Sequence, residues 1–188
     1  NKISGMEDKE IIELFHLKNK KEEAFRLLVD EYKEKLYWHI RKIVLSHEDC
    51  NDILQNVFVK VWQGLKEFRY EAKLYTWMYR IATNEAINFL NEKRRKVFGN
   101  SSEITDVLEN TLESDPWFCG DEIQAELQRA ILKLTDRQRL IFNMKYFDDM
   151  TYEDIAEVLD VAVGTLKATY HNAVKKIEES MRIADNCF

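Results

Sequence analysis

Residues that interrupt helices are scarce in this chain, whose 188 residues include one proline and five glycines. Because proline breaks helix interiors and glycine disfavours them, this scarcity favours a helical protein. Long apolar runs are missing as well, since none approaches the roughly 20 residues that span a bilayer, and no basic and then apolar leader opens the chain. We therefore expect a cytoplasmic protein that does not insert into a membrane.

Groups typical of catalytic and metal sites are also missing from the sequence. The three cysteines, Cys50, Cys119 and Cys187, are odd in number and form no CxxC pair, which argues against a disulfide framework and a zinc site. The four histidines are scattered, and the sequence has no glycine-rich phosphate loop or nucleophile constellation. The adjacent Asp148 and Asp149 are better explained by a helix end than by catalysis. We therefore predict that the chain is not an enzyme and that it binds no cofactor, metal ion or small-molecule substrate.

The net charge of −6 is unfavourable for a protein that binds DNA unaided, because lysine and arginine supply most non-specific affinity for phosphate. The cations are nevertheless clustered, in a block at 93–96 and again at Lys167, Lys175 and Lys176. Between these clusters, residues 97–126 include many acidic residues and no lysine or arginine. Such a chain is expected to bind DNA weakly alone and to need a partner.

Apolar residues recur at helical spacing along most of the chain. One amphipathic helix is predicted from about Lys21, a second between a polar break at 46–49 and Leu65, and a third from about Leu74 to the basic block. No alternating pattern of comparable strength predicts a strand. Three helices of this kind indicate a compact bundle.

Composition divides the chain into three parts. A first helical bundle is predicted at 7–97, and a second at 123–184 that includes a helix capped by Thr135. The acidic stretch at 98–122 has few regular repeats and is predicted to be a flexible linker. The predicted fold is all-α: two small helical bundles joined by a flexible acidic linker. Apolar residues of the linker are expected to dock on a partner or on the bundles themselves, namely Ile104, Val107, Leu108, Leu112 and the pair Trp117 and Phe118.

The most informative segment, at 151–176, predicts a helix-turn-helix. Thr151 is a suitable N-cap, the turn falls at 160–162, and a second helix starts at about Val163. The turn carries Asp160 where glycine is common, but aspartate tolerates turn conformations. The alternative is an ordinary helical hairpin with a solvated polar side. Outward donors and cations that suit DNA phosphates and base edges are Thr165, Lys167, Thr169, Tyr170, His171, Lys175 and Lys176.

Two motif sets, in order, resemble one known family. The segments 47–68 and 74–96 resemble region 2 of bacterial sigma factors, and 127–177 resembles their region 4. With these two regions alone, the chain is similar to the small extracytoplasmic-function type. The resemblance implies a protein that binds core RNA polymerase, recognises the minus-thirty-five and minus-ten promoter elements and promotes transcription initiation. It also implies an anti-sigma factor as a partner.

The resemblance implies roles for particular residues. Region 2 would dock on the polymerase through Asp49, Asp52, Gln55, Phe58 and Trp62. Phe58 and Trp62 are expected to lie partly in the core, and the outward polar residues are expected to make the main contacts. It would read and melt the minus-ten element through Phe68, Arg69, Tyr75, Arg80, Asn84 and Asn88, with Arg94 and Arg95 on backbone phosphates. In region 4, Thr165, Lys167, Thr169, Tyr170 and His171 would read the minus-thirty-five element, with Lys175 and Lys176 on phosphates.

Two other functions remain open from the residues alone. An autonomous helix-turn-helix regulator would bind its promoter tightly without polymerase. A helical adaptor for protein interactions would explain the acidity, but it would leave the basic face of the second helix without a use.

Overall fold

The computed structural model describes residues 7–17, 19–98, 108, 111–112 and 121–185. Within these ranges it contains eight helices and no β-strand, which confirms the predicted all-α fold. The N-terminal unit consists of α1 (Asp8–His16), α2 (Lys21–Val44), α3 (His47–Gly64) and α4 (Leu74–Phe98). The C-terminal unit consists of α5 (Glu122–Leu132), α6 (Asp136–Tyr146), α7 (Tyr152–Leu159) and α8 (Val163–Asp185).

Side-chain caps define several helix starts. Thr135 accepts a hydrogen bond from the backbone of Gln138, whose side chain in turn accepts from the Thr135 backbone, so that α6 begins with a capping box. Thr151 accepts from the backbone of Asp154 at 3.1 Å and starts α7. Both caps were predicted, and both are confirmed. Each satisfies a backbone donor that the helix cannot satisfy itself.

Helix α1 was not predicted as a separate element. It is only nine residues long, and its apolar signal is limited to Ile11, Ile12 and Phe15, all of which are buried against the rest of the N-terminal unit. Asp8, in its first turn, accepts a 2.6 Å hydrogen bond from the Tyr32 hydroxyl of α2. The helix is therefore stabilised by packing on α2 rather than by its own propensity.

A glycine allows α3 and α4 to approach closely. A Cβ atom added to Gly64, at the end of α3, would lie 2.7 Å from Cζ2 of Trp77 on α4. Trp77 is partly buried against the core and also contacts the ring of Phe68, with 5.1 Å between centroids. The predicted assignment of Trp77 to the core agrees with this packing.

The two units share one hydrophobic core. The main buried cluster includes Leu28 and Leu36 of α2 together with Met144, Ile155 and Val158 of the C-terminal unit. Between the two units, α4 packs against α7 and α2 packs against α6. A smaller cluster within the C-terminal unit lies between α5, α6 and α8. The relative placement of the units is therefore held by apolar burial as well as by polar contacts.

Two residues of the predicted linker belong to this core. Leu108 is 1% exposed and Leu112 is 3% exposed, and both lie in the main cluster. The expectation that apolar linker residues dock on the chain's own bundles is confirmed for these two, and their burial contradicts a freely detached tether at these positions. Ile104, Val107, Trp117 and Phe118 lie outside the described residues.

Candidate nucleic-acid and polymerase interfaces

The turn of the helix-turn-helix depends on Asp160. Asp160 directly follows Leu159, the last residue of α7, and is the C-cap of this helix. Its backbone adopts the left-handed conformation, with φ 54° and ψ 53°. The Val161 amide then donates to the carbonyl oxygen of Ala156 at 3.2 Å, which closes the helix end. Aspartate can adopt this conformation at lower cost than bulkier residues, so the predicted turn forms without glycine.

Helix α8 buries one face and exposes another. Leu166, Ala173 and Ile177 are buried against the other C-terminal helices. Five of the predicted DNA-binding residues are exposed. Asn172 is exposed as well, and the sequence prediction missed it although its spacing from Ala168 and Lys175 places it on the exposed face of α8. The exposed predicted residues are Thr165, Lys167, His171, Lys175 and Lys176.

Tyr170 and Thr169 are less available than predicted. The Tyr170 ring stacks on Phe142 at 5.9 Å between centroids and meets the edge of Tyr152 at 6.2 Å. Tyr170 is partly buried, and burial raises the pKa of its hydroxyl. The Thr169 hydroxyl donates its proton to the Thr165 carbonyl oxygen at 2.8 Å, so toward DNA its oxygen can only accept.

Cations of the C-terminal unit surround Tyr152. The ammonium of Lys167 lies 5.7 Å from the centroid of its ring, and that of Lys145 lies 5.3 Å away. Lys176 donates to the Gln138 side chain at 3.2 Å. These contacts orient Lys167 and Lys176 while both side chains remain exposed.

A second polar row runs along α4. Arg80, Asn84, Asn88 and Arg95 are all exposed, and their spacing places them on one side of the helix. Arg94 is partly buried and lines a recess of about 420 Å³ with Asn88 and Arg95. The structure thus brings five of the predicted minus-ten residues together on one helix. Amide and guanidinium groups in a row can bond both phosphates and unpaired bases.

The remaining minus-ten candidates are distributed around the start of α4. Arg69 is exposed, whereas Phe68 is partly buried between Trp77 and Tyr70. Tyr70 was missed by the sequence prediction: it is 48% exposed and has a left-handed backbone at φ 59°. An exposed aromatic residue in a strained loop can stack on an unpaired base.

Tyr75 lies apart from this loop. Its ring contacts that of Tyr79 with 4.4 Å between centroids, and burial raises the pKa of Tyr75 to about 12. Both rings line a groove of about 820 Å³ between the two units. Tyr75 therefore faces the C-terminal unit, and the loop carrying Phe68 lies elsewhere.

The predicted docking residues of α3 separate into two sets. Asp52 and Gln55 are exposed, whereas Phe58 and Trp62 contact the ring of Phe25 in the core, with 6.3 Å and 4.9 Å between centroids. Val59 is 55% exposed and shares a helix face with the two polar residues. The available surface of α3 is therefore polar with one apolar residue at its centre.

Asp49, the fifth predicted docking residue, is partly buried and accepts a 2.7 Å hydrogen bond from Lys93 of α4. The ion pair links the start of α3 to the end of α4. Asp49 thus has a structural partner within the N-terminal unit.

A buried polar cluster joins the two units. The Asp148 side chain is 4% exposed, and its oxygens lie 2.8 Å from Nδ1 of His39 and 2.6 Å from Nζ of Lys42. Nε2 of His39 lies 2.8 Å from the Thr83 hydroxyl, which itself donates to the Tyr79 carbonyl oxygen at 2.7 Å.

This cluster explains Asp148, which the sequence assigned only to a helix end. Burial by itself would raise its pKa, but the hydrogen bonds and charges of His39 and Lys42 outweigh burial and hold the pKa below its ordinary value. Asp148, which follows α6, contacts both side chains of α2 and so joins the segment after α6 to α2. The sequence had no signal for this contact, because His39 and Asp148 are 109 residues apart.

None of the helices that the structure describes is long and apolar enough to cross a membrane. No group of three His, Cys, Asp or Glu side chains within the described ranges is arranged to hold a metal ion.

The helix-turn-helix and the separate polar row on α4 place the chain among helical proteins that contact DNA in transcription. A family model described as sigma-70 region 2 matches residues 28–96, and one described as sigma-70, region 4 matches residues 124–177. The chain belongs to the sigma-70 family of RNA polymerase sigma factors, and several of its relatives are of the extracytoplasmic-function type.

Relatives match along most of the chain. The RNA polymerase sigma-H factor of Pseudomonas aeruginosa is 29% identical in an alignment 188 positions long that covers 96% of this chain and 96% of that protein. The extracytoplasmic-function sigma factor SigW of Bacillus subtilis is 28% identical in an alignment 170 positions long that covers 86% of this chain and 90% of that protein.

Two solved structures share the fold. The sigma factor RpoE of Bartonella quintana, in complex with the anti-sigma factor NepR, has a TM-score of 0.67 at 18% identity and covers 85% of this chain and 97% of that one. CnrH in complex with the cytosolic domain of CnrY also has a TM-score of 0.67 at 18% identity, with 94% of this chain and 97% of that one covered.

Proposed function

We propose that this sigma factor divides promoter recognition between the exposed face of α8 and the polar row of α4. The observation that carries the proposal is the presence of two separate exposed rows of donors, each on a helix whose opposite face is buried. Two readers on one protein can bind two promoter elements at once, and simultaneous binding raises the effective local concentration of each.

Helix α8 reads the minus-thirty-five element in the major groove. Thr165, Lys167, His171 and Asn172 face outward and supply donors for base edges or phosphates. Lys175 and Lys176 contact phosphates and set the position of the helix. Tyr170 supports the helix from its buried side, which follows from its stacking on Phe142.

Helix α4 and the preceding loop bind the melted minus-ten element. Asn84 and Asn88 present amides to unpaired bases, Arg80 and Arg95 contact phosphates, and Tyr70 offers a ring for stacking. Single-stranded DNA is bound by this combination of cations and aromatic rings without a requirement for a duplex groove. The binding energy then stabilises the open promoter.

Protein partners bind other surfaces. Core RNA polymerase docks on the face of α3 formed by Asp52, Gln55 and Val59, where polar residues surround an exposed apolar one. An anti-sigma factor binds the groove between the units, whose wall includes the exposed Tyr146 and Phe147. The anti-sigma factor NepR, which is named with one of the two solved relatives, supports this partner.

The chain acts by binding, in the cytoplasm, and catalyses no reaction itself. Its acidic balance suits this role, because free sigma factor with weak DNA affinity does not compete with the complete polymerase for promoters. The polymerase supplies the additional contacts that make the complex specific.

Run-off transcription tests the proposal. Core polymerase is combined with and without the chain on promoter fragments, and specific transcripts are expected only when both are present. Lys167→Ala is expected to reduce transcription about fivefold or more by removing a contact of α8. Lys33→Ala, which removes an exposed cation of α2 paired with Asp30, is the matched control and should have no effect. Tight promoter binding by the chain alone, without polymerase-dependent transcripts, would favour an autonomous regulator.

A further inference from the structure

We infer that the free chain closes its own minus-ten surface, with α7 of the helix-turn-helix bound across the start of α4. The inference rests on the proposed role of the α4 row in binding melted DNA. In this closed state the acidic side of α7 occupies groups of α4 that are then unavailable to DNA. The bound partner is thus a segment of the chain itself.

Three residues of α4 and its preceding loop contact two acidic residues of α7. Lys73 Nζ lies 2.8 Å from Oδ1 of Asp154, whose side chain is 12% exposed. Thr76 Oγ1 lies 2.8 Å from Oε1 of Glu157, and the Arg80 guanidinium donates through Nε to the Glu157 carbonyl oxygen at 3.1 Å. A second guanidinium nitrogen of Arg80, Nη2, donates to the same carbonyl.

The two sides are complementary in spacing and charge. Asp154 and Glu157 are three residues apart and share one side of α7, while Thr76 and Arg80 are four residues apart on α4 with Lys73 directly before it. Arg80, which would contact a DNA phosphate, donates to a carbonyl oxygen instead, and Lys73 and Thr76 beside it contact carboxylates. Since both ligands are oxygen acceptors, α7 and a DNA strand compete for the same donors.

Other contacts hold α7 in this place. The two helices pack directly, and Ile155 and Val158 of α7 are buried in the core that α4 shares. At the other side of the interface, Asp148 is bound by His39 and Lys42 of α2. An opening of the units therefore breaks polar contacts at two places and exposes apolar surface between them.

Only the open chains bind DNA, so the apparent affinity for DNA is proportional to the fraction of chains that are open. A variant in which α7 is bound less tightly to α4 should therefore have a higher apparent affinity. We would compare the wild-type chain with Asp154→Asn/Glu157→Gln by small-angle X-ray scattering and by fluorescence anisotropy with a single-stranded minus-ten oligonucleotide. The matched control is Asp149→Asn/Glu153→Gln, which removes two exposed carboxylates near the same helix and so produces the same change in net charge.

The double variant of α7 is expected to have a larger radius of gyration than the control and to bind the oligonucleotide about fivefold or more tightly. Thr76→Val, which removes the hydroxyl from the α4 side, should produce a smaller change in the same direction and does not alter the helix-turn-helix. Circular dichroism checks that each variant retains its helices.

Equal radii and equal affinities for the double variant, Thr76→Val and the charge-matched control would overturn the inference. An increase in radius without tighter binding would also overturn it, because the released surface would not be one that binds DNA. Run-off transcription with core polymerase and the wild-type chain is measured in parallel, and its failure would refute the proposed function, which the scattering result alone does not test.

Discussion

The buried carboxylate of Asp148 offers the sharpest test of how the units are held together. Asp148→Asn preserves the size of the side chain but removes its charge. His39, which is 1% exposed, and the Lys42 side chain, which is 12% exposed, would then keep their donors without a carboxylate to receive them. Removing one member of a buried ion pair costs about 3–5 kcal/mol, because the other charge remains buried and uncompensated.

The asparagine oxygen still accepts one hydrogen bond, so we expect a loss near the lower end, about 3 kcal/mol in the free energy of unfolding. Two hydrogen bonds to charged groups, at about 1.5–3 kcal/mol each, give a sum of similar size. Since a domain is typically stable by about 5–15 kcal/mol, this is a large fraction of the total.

Urea denaturation followed by tryptophan fluorescence measures the effect. Asp149→Asn is the matched control: Asp149 is adjacent and exposed, and asparagine tolerates its left-handed backbone at φ 50°. The control should change stability by less than about 0.5 kcal/mol. If Asp148→Asn lost no more than the control, the buried ion pair would not hold the units together, and the reasoning would be refuted.

Three further predictions concern pH, thiol reactivity and packing. Folding lowers the pKa of Asp148, so its stabilising contribution is present above its ordinary pKa of about 3.9 and is lost as the pH falls through the lower pKa of the folded state. Urea denaturation between pH 6 and 3 should therefore show that the difference in the free energy of unfolding between wild type and Asp148→Asn becomes smaller. A constant difference would contradict this prediction. Burial raises the pKa of Cys50 to about 12, so iodoacetamide at pH 8 should alkylate this thiol only after unfolding, which peptide mass spectrometry detects. Rapid alkylation of the folded chain would show that the thiol is accessible and would contradict the prediction. Gly64→Ala should destabilise the chain by about 1–3 kcal/mol, because the added methyl group would collide with Trp77. Gly164→Ala, whose methyl group would meet nothing within 4 Å, should stabilise α8 by about 0.5–1 kcal/mol. Thermal unfolding measures both effects, and equal melting temperatures of the two variants would contradict the packing of Gly64 on Trp77.

Helix starts and the turn were predictable because their causes are local. Thr135 and Thr151 each cap a backbone amide three residues away, and Asp160 closes α7 through its own backbone conformation. Such interactions involve neighbouring residues, so a sequence displays all their participants at once. The outward direction of Lys167 and His171 followed from the same helical spacing.

Aromatic candidates were harder to place. Tyr170 was expected to read DNA, and Phe58 and Trp62 were expected to dock on the polymerase while lying partly in the core; all three contact aromatic rings on other helices. Helical spacing shows which residues share a side, but the width of the buried arc depends on how many neighbours pack there. Helix α8 contacts α5, α6 and α7, so its buried arc is wider than the apolar residues alone predict.

The sequence by itself determined the all-α fold, the caps, the helix-turn-helix and the two motif sets of a sigma factor. Only the tertiary structure decided that the units share a core, that Asp148 contacts His39, and that Arg80 donates to a carbonyl oxygen of α7. The contacts between the units join residues 77 to 109 positions apart. Their formation depends on the packing of whole helix faces, whereas a cap or turn depends on a few adjacent residues.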